Sequence, residues 1–350
     1  MNYQIIELRQ RQRHAGSKAR EDVAYFAKSE GFEPLYIKCY EIKKETLYQR
    51  ARKFTASFFS WQRVKKKVKK GSYVLLQNPF YNRQFGRESA ILHLKNKKKC
   101  RIISVVHDVE VLRGKNWNGE NMVHEFEFMK QTSDYVIVHN EKMLNEFKKL
   151  GFKEESLISL KIFDYKTDVK INENKGFETL SDIAVAGNLN PKKSPYVYML
   201  ENLENAISVN LYGPNFEGEG SENINYCGSY PPEEVPSKLN AKFGLVWDGD
   251  SLDTCSNETG EYLKYNNPHK TSLYIASGLP VIIWNKAAMA DFVKEKGIGF
   301  VVNSLEEIKE KISAISKEEY SIMINNVLKE RENLLSGAYL KSALKKAQEL

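Results

Sequence analysis

Nowhere in the 350 residues do 18 apolar residues follow one another, so no segment reads as a membrane-spanning helix. The opening MNYQIIELRQRQR places its cations after a short apolar run, the reverse of a secretory signal. A cytoplasmic protein without a transmembrane anchor is the expectation. Cysteine is scarce: Cys39, Cys100, Cys227 and Cys255 stand far apart, with no CxxC pair and no histidine spacing that suits zinc. Reduced, mostly buried thiols are expected. Neither GxGxxG nor a Walker sequence occurs, which leaves a dinucleotide or P-loop assignment without support. Solenoid periods and low-complexity tracts are missing too.

What is present, 41% hydrophobic and 28% charged residues, suffices for two ordinary globular domains. Charge is divided unevenly. Residues 1–165 hold 33 Lys+Arg against 19 Asp+Glu, and the remainder 20 against 26. The basic first half therefore meets an anion that the second half does not share equally. Nucleic acid, an anionic lipid surface and a diphosphate-linked substrate all fit that balance.

Short apolar runs alternate with amphipathic stretches. Tyr3 to Leu8, Pro34 to Lys38, Tyr73 to Gln77, Ile102 to His107 and Tyr135 to His139 read as buried strands with helices between them. The pattern restarts after residue 180. Strands are expected at Asp182 to Ala186, Ser208 to Tyr212, Phe243 to Trp247, Pro280 to Trp284 and Gly299 to Val302, then helices from about Glu306 to Leu335 and from Tyr339 to Leu350. Strand and helix in alternation mean parallel sheets covered on both faces. The fold class is thus α/β, two doubly wound Rossmann-like domains, residues 1–165 and 166–335, facing an interdomain cleft where strand carboxyl ends gather ligands.

Chemistry is expected at those strand ends. In EYLKYNNPHKTSLYIASGLPVIIW, Asn267 suits an N-cap and Pro268 the first helical position, so His269 and Lys270 stand where a helix offers bare N–H groups to a diphosphate. A capped structural helix would read the same. In GNLNPKKSP, Gly187 allows a tight turn, Asn188 can donate to an oxygen, and Lys192 or Lys193 can reach a phosphate. In LYGPN, Tyr212 and Gly213 close a strand where a base or ribose could approach the backbone, although an ordinary tight turn looks alike. In the first half His107 and Asp108 follow a strand; the carboxylate can take a proton from a sugar hydroxyl and the imidazole can orient substrate. A turn-capping Asp108 and a satisfied core His107 are the alternative. Gly16, in the loop from Gln10 to Ser17 with Ser17 as the next helix's cap, is expected to border the cleft. Asp248, Gly249 and Asp250 form a DxD, the pair with which many sugar transferases hold a divalent metal, but a solvated acidic loop fits equally.

Taken together, HDVEVLR, GNLNPKKS, FGLVW and YNNPHKTSLYIASGLPVIIW resemble a bacterial family of GT-B glycosyltransferases. Its members include beta-1,6-galactofuranosyltransferases and glucosyltransferases that extend glycans on adhesins. The resemblance spans nearly the whole chain. It implies a UDP-sugar donor held mainly by the second domain, no cofactor and no bound metal, and a final helix, residues 336–350, that crosses back to the first domain. It also implies that Gly187, Asn188, Lys192 or Lys193 and Lys270 meet the diphosphate, with Asn267 and His269 near the donor sugar. NPH is closer to the galactofuranosyl branch, whereas the glucosyl branch carries arginine in the turn. The expected acceptor is a lipid-linked glycan at the inner face of the membrane or a protein-linked one; self-association is left open.

A nucleic-acid-binding protein is the competing class. It calls for aromatics interleaved with arginine or for a basic recognition helix, whereas RVKKKVKKG and KNKKK cluster at helix ends, so no nucleic-acid partner is expected. Between Thr46 and Lys70, Leu47, Ala51, Phe54, Phe58, Trp61, Val64 and Val68 share one helical face. Such a face can cover the sheet or, with its lysines, lie on an anionic bilayer.

Overall fold

The computed structural model describes residues 1–8, 15–39, 46–114, 119–170 and 180–350, and for residues 15 and 16 the backbone alone. The chain divides into two compact units: Met1–Leu160 with Leu340–Leu350, and Lys161–Tyr339.

In the first unit β1 (Asn2–Leu8), α1 (Ala15–Ser29), β2 (Phe32–Lys38), α2 (Leu47–Lys67), β3 (Tyr73–Asn78), α3 (Arg87–Asn96) and β4 (Arg101–Val106) alternate. They are followed by α4 (Glu110–Arg113), α5 (Glu120–Thr132), β5 (Tyr135–Val138), α6 (Glu141–Lys149) and β6 (Leu157–Ser159). All pairings are parallel, in the order β2-β1-β3-β4-β5-β6. Helices on both faces explain why RIISVV of β4 is buried at every position after Arg101. Strand order reverses between β1 and β3, the point at which such sheets leave a crevice.

The second unit runs β7 (Ser181–Ala186), β8 (Val209–Tyr212), β9 (Ile224–Tyr226), α7 (Val235–Lys238), β10 (Ala241–Val246), α8 (Asn257–Tyr262) and α9 (His269–Ala276). It continues through β11 (Val281–Trp284), α10 (Ala290–Lys296), β12 (Gly299–Val302), α11 (Glu307–Ala314) and α12 (Lys317–Ser336). The sheet order is β12-β11-β10-β7-β8-β9, again parallel throughout. Counted within the unit this is the Rossmann order, with its switch point between β7 and β10. The last helix, α13 (Ala338–Glu349), buries Leu340, Ala343, Leu344 and Ala347. Its contacts include the Tyr73 hydroxyl donating to the Gln348 carbonyl and an ion pair of Lys341 with Glu30, so it completes the first unit.

Several expectations are corrected. Helix α1 begins at Ala15, so Ser17 lies inside its first turn and does not cap it, and the backbone of Gly16 is helical. The rest of the proposed loop, residues 10–14, lies outside the described residues. The single helix expected from Glu306 is broken into α11 and α12, because Ser316 and Glu319 form a reciprocal capping box. Helix α2 does not bury its whole apolar face: Ser57, Ser60, Trp61 and Val64 are buried, while Leu47 is 85% exposed. Its lysine run, Lys65 to Lys70, leads into the start of β3. Lys98 donates to the Val68 carbonyl there, so the lysine clusters sit at the amino ends of β3 and β4, opposite Asp108. Cys39, Cys100 and Cys255 are buried, Cys227 is half-buried, and none of the four is in a disulfide. No described helix is long and apolar enough to cross a membrane.

Candidate functional site

In the second unit one glycine in a strand organises the corner. Gly244, in the middle of β10, faces Tyr274 of α9 so closely that a β-carbon there would lie 2.1 Å from the ring. Through that notch the Tyr274 hydroxyl reaches across and accepts the Ala186 N–H at the end of β7, at 2.8 Å. Helix α9 is thereby fixed over the switch point, and Lys270, one turn before Tyr274, is delivered beside Gly187.

The turn after β7 is built from two glycines back to back. Gly187 (φ +153°) donates its N–H to the Tyr212 carbonyl, and Gly213 (φ +145°) approaches so closely that a β-carbon would fall 1.7 Å from the Gly187 oxygen. Tyr226 donates to the Gly213 carbonyl and Tyr198 to the Leu189 carbonyl, with Phe216 stacked between the two rings. The turns are thus braced by aromatic side chains. Asn188 accepts from Asn190 N–H and from the Asn215 amide through its oxygen, which leaves its nitrogen end as the donor side. Lys192 and Lys193 are exposed on the same turn.

Lys270 donates to Asp248 Oδ1 at 2.7 Å and to the Trp247 carbonyl at 2.9 Å, both just beyond β10. Burial alone would lower the pKa of its amine, but the Asp248 carboxylate more than offsets this, so the ammonium titrates above its ordinary range. The two carboxylates of the DxD have different partners. Asp248 is a counter-ion for Lys270, and Asp250 turns away to accept from Ser256. Among the described residues no three His, Cys, Asp or Glu side chains converge on one point.

Asn267 is not the N-cap. Pro268 holds that position, and the buried Asn267 amide donates to the Lys161 carbonyl at 3.0 Å. With Ser272 donating to the Phe163 carbonyl, and His269 between the rings of Phe163 and Tyr165, it seats the start of α9 on the segment that opens the unit. Tyr212 ends β8. Its ring is in the core and its hydroxyl accepts the Asn240 N–H, so only its backbone reaches the turn.

In the first unit His107 and Asp108 follow β4 as expected, and the structure separates their surroundings. His107 Nε2 bonds the Gln77 side-chain oxygen at 2.7 Å, and its N–H donates to the Asn78 carbonyl, tying β4 to β3. Asp108 points outward with its side chain 31% exposed, one oxygen held by Arg113 and the other accepting the Tyr81 hydroxyl at 3.1 Å. That hydroxyl is also 3.1 Å from Glu110 Oε1. Burial, only partly offset by Arg113, raises the Glu110 carboxyl pKa; burial and then the two carboxylates push the Tyr81 phenol well above its ordinary value. Tyr81 is therefore a donor at neutral pH. Behind them His139 is fully buried, donates to the Val106 carbonyl, and is pushed down by burial to about 4, hence neutral. A small, partly open pocket lies beside Asp108, lined also by Glu110, Glu125, Met122, Phe126 and Met129.

Two doubly wound units of this topology, each with polar residues gathered where its strands end, make a GT-B glycosyltransferase. The solved structure of the Anabaena protein HepE in complex with UDP and glucose shares the fold, with a TM-score of 0.61 at 9% identity and 100% of both chains covered. Residues 2–162 match the model of the Glucosyltransferase 3-like N-terminal domain and residues 183–347 that of the C-terminal domain. The chain belongs to the Glucosyltransferase 3-like family. It is 35% identical to the beta-1,6-galactofuranosyltransferase WbbI of Escherichia coli K12 over 70% of this chain and 71% of that one. With Glucosyltransferase 3 of Streptococcus gordonii it shares 28% identity over 93% of this chain and 92% of that one.

Sequence reasoning missed Gly244 with Tyr274, and Tyr81. A glycine inside the otherwise apolar FGLVW was the available signal for the first pair, since a strand glycine marks close approach by another group. Tyr81 carried no signal, being one tyrosine in an irregular loop.

Proposed function

We propose that the protein transfers a hexose, galactofuranose, from its UDP-sugar to a sugar acceptor in surface polysaccharide synthesis, with inversion and without a metal. The observation that carries the donor half is the Lys270 corner at the second unit's switch point, where a paired ammonium and two abutting glycines offer charge and open backbone to a diphosphate. Asp248 keeps the ammonium charged and aimed; a bound diphosphate would share it. Lys192 or Lys193 would add a second cation and Asn188 a donor, with His269 beside the sugar. The relative from Escherichia coli supports galactofuranose as the sugar.

Asp108 supplies the base. UDP-sugars are alpha-linked, so a beta product needs attack from the opposite face by an acceptor oxygen whose proton a carboxylate removes. The half-buried Asp108 carboxylate beside a pocket is suited to that task. His107, engaged with Gln77, fixes the strand end that presents it. A glucosyltransferase that extends a glycan on a glycoprotein is the second reading, favoured by the match to the streptococcal relative over nearly the full chain.

The acceptor in the first reading is lipid-linked, and the basic first unit then rests at an anionic membrane surface. Release of UDP from a panel of donors, with UDP-galactofuranose generated in place by a mutase, tests the proposal. Turnover of UDP-galactofuranose in the presence of EDTA is expected. Turnover of UDP-glucose alone supports the second reading, and dependence on a divalent metal overturns the role given to Lys270.

A further inference from the structure

A glycosyltransferase whose carboxylate base lies in reach of water gains by keeping that base from activating water when no acceptor is bound. In the first unit both Asp108 oxygens are engaged: Arg113 holds Oδ1 and the Tyr81 hydroxyl donates to Oδ2. Tyr81 approaches from the loop after β3, which Arg20 fixes by donating to the carbonyls of Gln77 and Pro79 at 3.0 and 2.8 Å. The same guanidinium lies 5.9 Å from the Tyr81 ring centre. The residue as a whole is 42% exposed, so it is not held for core packing. Its hydroxyl has one proton and two carboxylate oxygens at an equal 3.1 Å, Asp108 Oδ2 and Glu110 Oε1. It can release Asp108 and keep Glu110 as its acceptor, so the exchange leaves no buried donor unpaired.

We propose that Tyr81 guards Asp108: its hydroxyl occupies the place of the acceptor hydroxyl on Oδ2 until an acceptor displaces it toward Glu110, which holds donor hydrolysis down without slowing transfer. The inference rests on Asp108 being the base. Without the guard, water would give its proton to Asp108 while its oxygen bonds the anomeric carbon. The bond from that carbon to the diphosphate oxygen breaks, and UDP leaves with the electron pair. Glu110 is a positioning residue in this scheme, the resting partner of the displaced hydroxyl.

The experiment needs no acceptor. UDP release from UDP-galactofuranose and from UDP-glucose is followed without acceptor for the full-length wild-type chain, Tyr81→Phe, Asp108→Asn and the double variant. Tyr81→Phe should hydrolyse donor about fivefold faster than wild type, the factor set by one lost hydrogen bond, with an unchanged unfolding midpoint and unchanged UDP affinity. The double variant should fall to the level of Asp108→Asn. Hydrolysis by Tyr81→Phe at or below the wild-type rate, with Asp108→Asn slower still, overturns the guard and leaves the base in place. A double variant as fast as Tyr81→Phe overturns the base, and the guard with it.

Discussion

The strand ends of the two units are built by opposite means. In the second unit the corner is made of backbone and absent side chains: Gly187 against Gly213, Gly244 opened for Tyr274, and Lys270 fixed by Asp248. In the first, the partners of the Asp108 carboxylate are side chains, Arg113 and Tyr81. In the proposed function the corner would hold a diphosphate, the same in every donor, and its rigidity would limit the entropy lost on binding. The base proposed at Asp108 would gain from contacts that can be exchanged for an acceptor.

That contrast can be broken in five places. The largest expected effect is on the first unit's stability. His139 is neutral when folded, its pKa pushed from 6.5 to about 4, so the unfolded chain binds the proton more readily. Stability is therefore full above pH 6.5 and falls as pH drops toward 4, by about 3 kcal/mol. Urea unfolding from pH 7 to 4 should show this loss, and His139→Gln should flatten it. Next, Asp108→Asn should lower turnover at least about 100-fold while UDP affinity holds; a variant that turns over normally in steady-state UDP-release assays would move the base elsewhere. Gly244→Ala forces a methyl onto the Tyr274 ring and should cost about 1–3 kcal/mol, read as a drop in unfolding midpoint, with weaker UDP binding. Tyr274→Phe, which loses only the bond from Ala186 N–H, should cost less.

Lys270→Ala should weaken UDP about tenfold by calorimetric titration, the size of one charge-assisted phosphate contact. Unchanged affinity there would show that the corner is structural. The smallest effect expected is at the lipid surface, about 1 kcal/mol for each lysine at most. Sedimentation with anionic liposomes at low salt should fall at high salt and on neutralising Lys65, Lys66, Lys67, Lys69 and Lys70. Equal binding to neutral vesicles would favour a glycoprotein acceptor.

Much of this architecture was legible in the sequence for a local reason. Runs such as IISVV and PVIIW are apolar on both faces and bounded by turn residues, which only a covered parallel sheet accommodates. The three-residue strands β6 and β9 are too short to show a period. Local geometry was legible where one segment holds it, as in the tight turn at Gly187 of GNLNPKKS, and misread where distant segments meet. Asn267 before Pro268 has the form of a cap, yet its amide is claimed by Lys161, 106 positions away. Asp248 has the form of one half of a DxD pair, yet its partner in the structure is a lysine 22 residues on. Capping and motif rules describe neighbours in the chain, and neither partner is one.

Helix α13 gives the protein an unusual order of assembly during synthesis. The first unit is translated first but still lacks Leu340, Ala343, Leu344 and Ala347, which the ribosome adds only after the whole second unit. The second unit, contiguous in the chain, can finish folding while its elder waits with one flank uncovered. A nascent chain interrupted before residue 340 would thus carry a complete second unit joined to an unfinished partner, a form for chaperones and proteases to recognise.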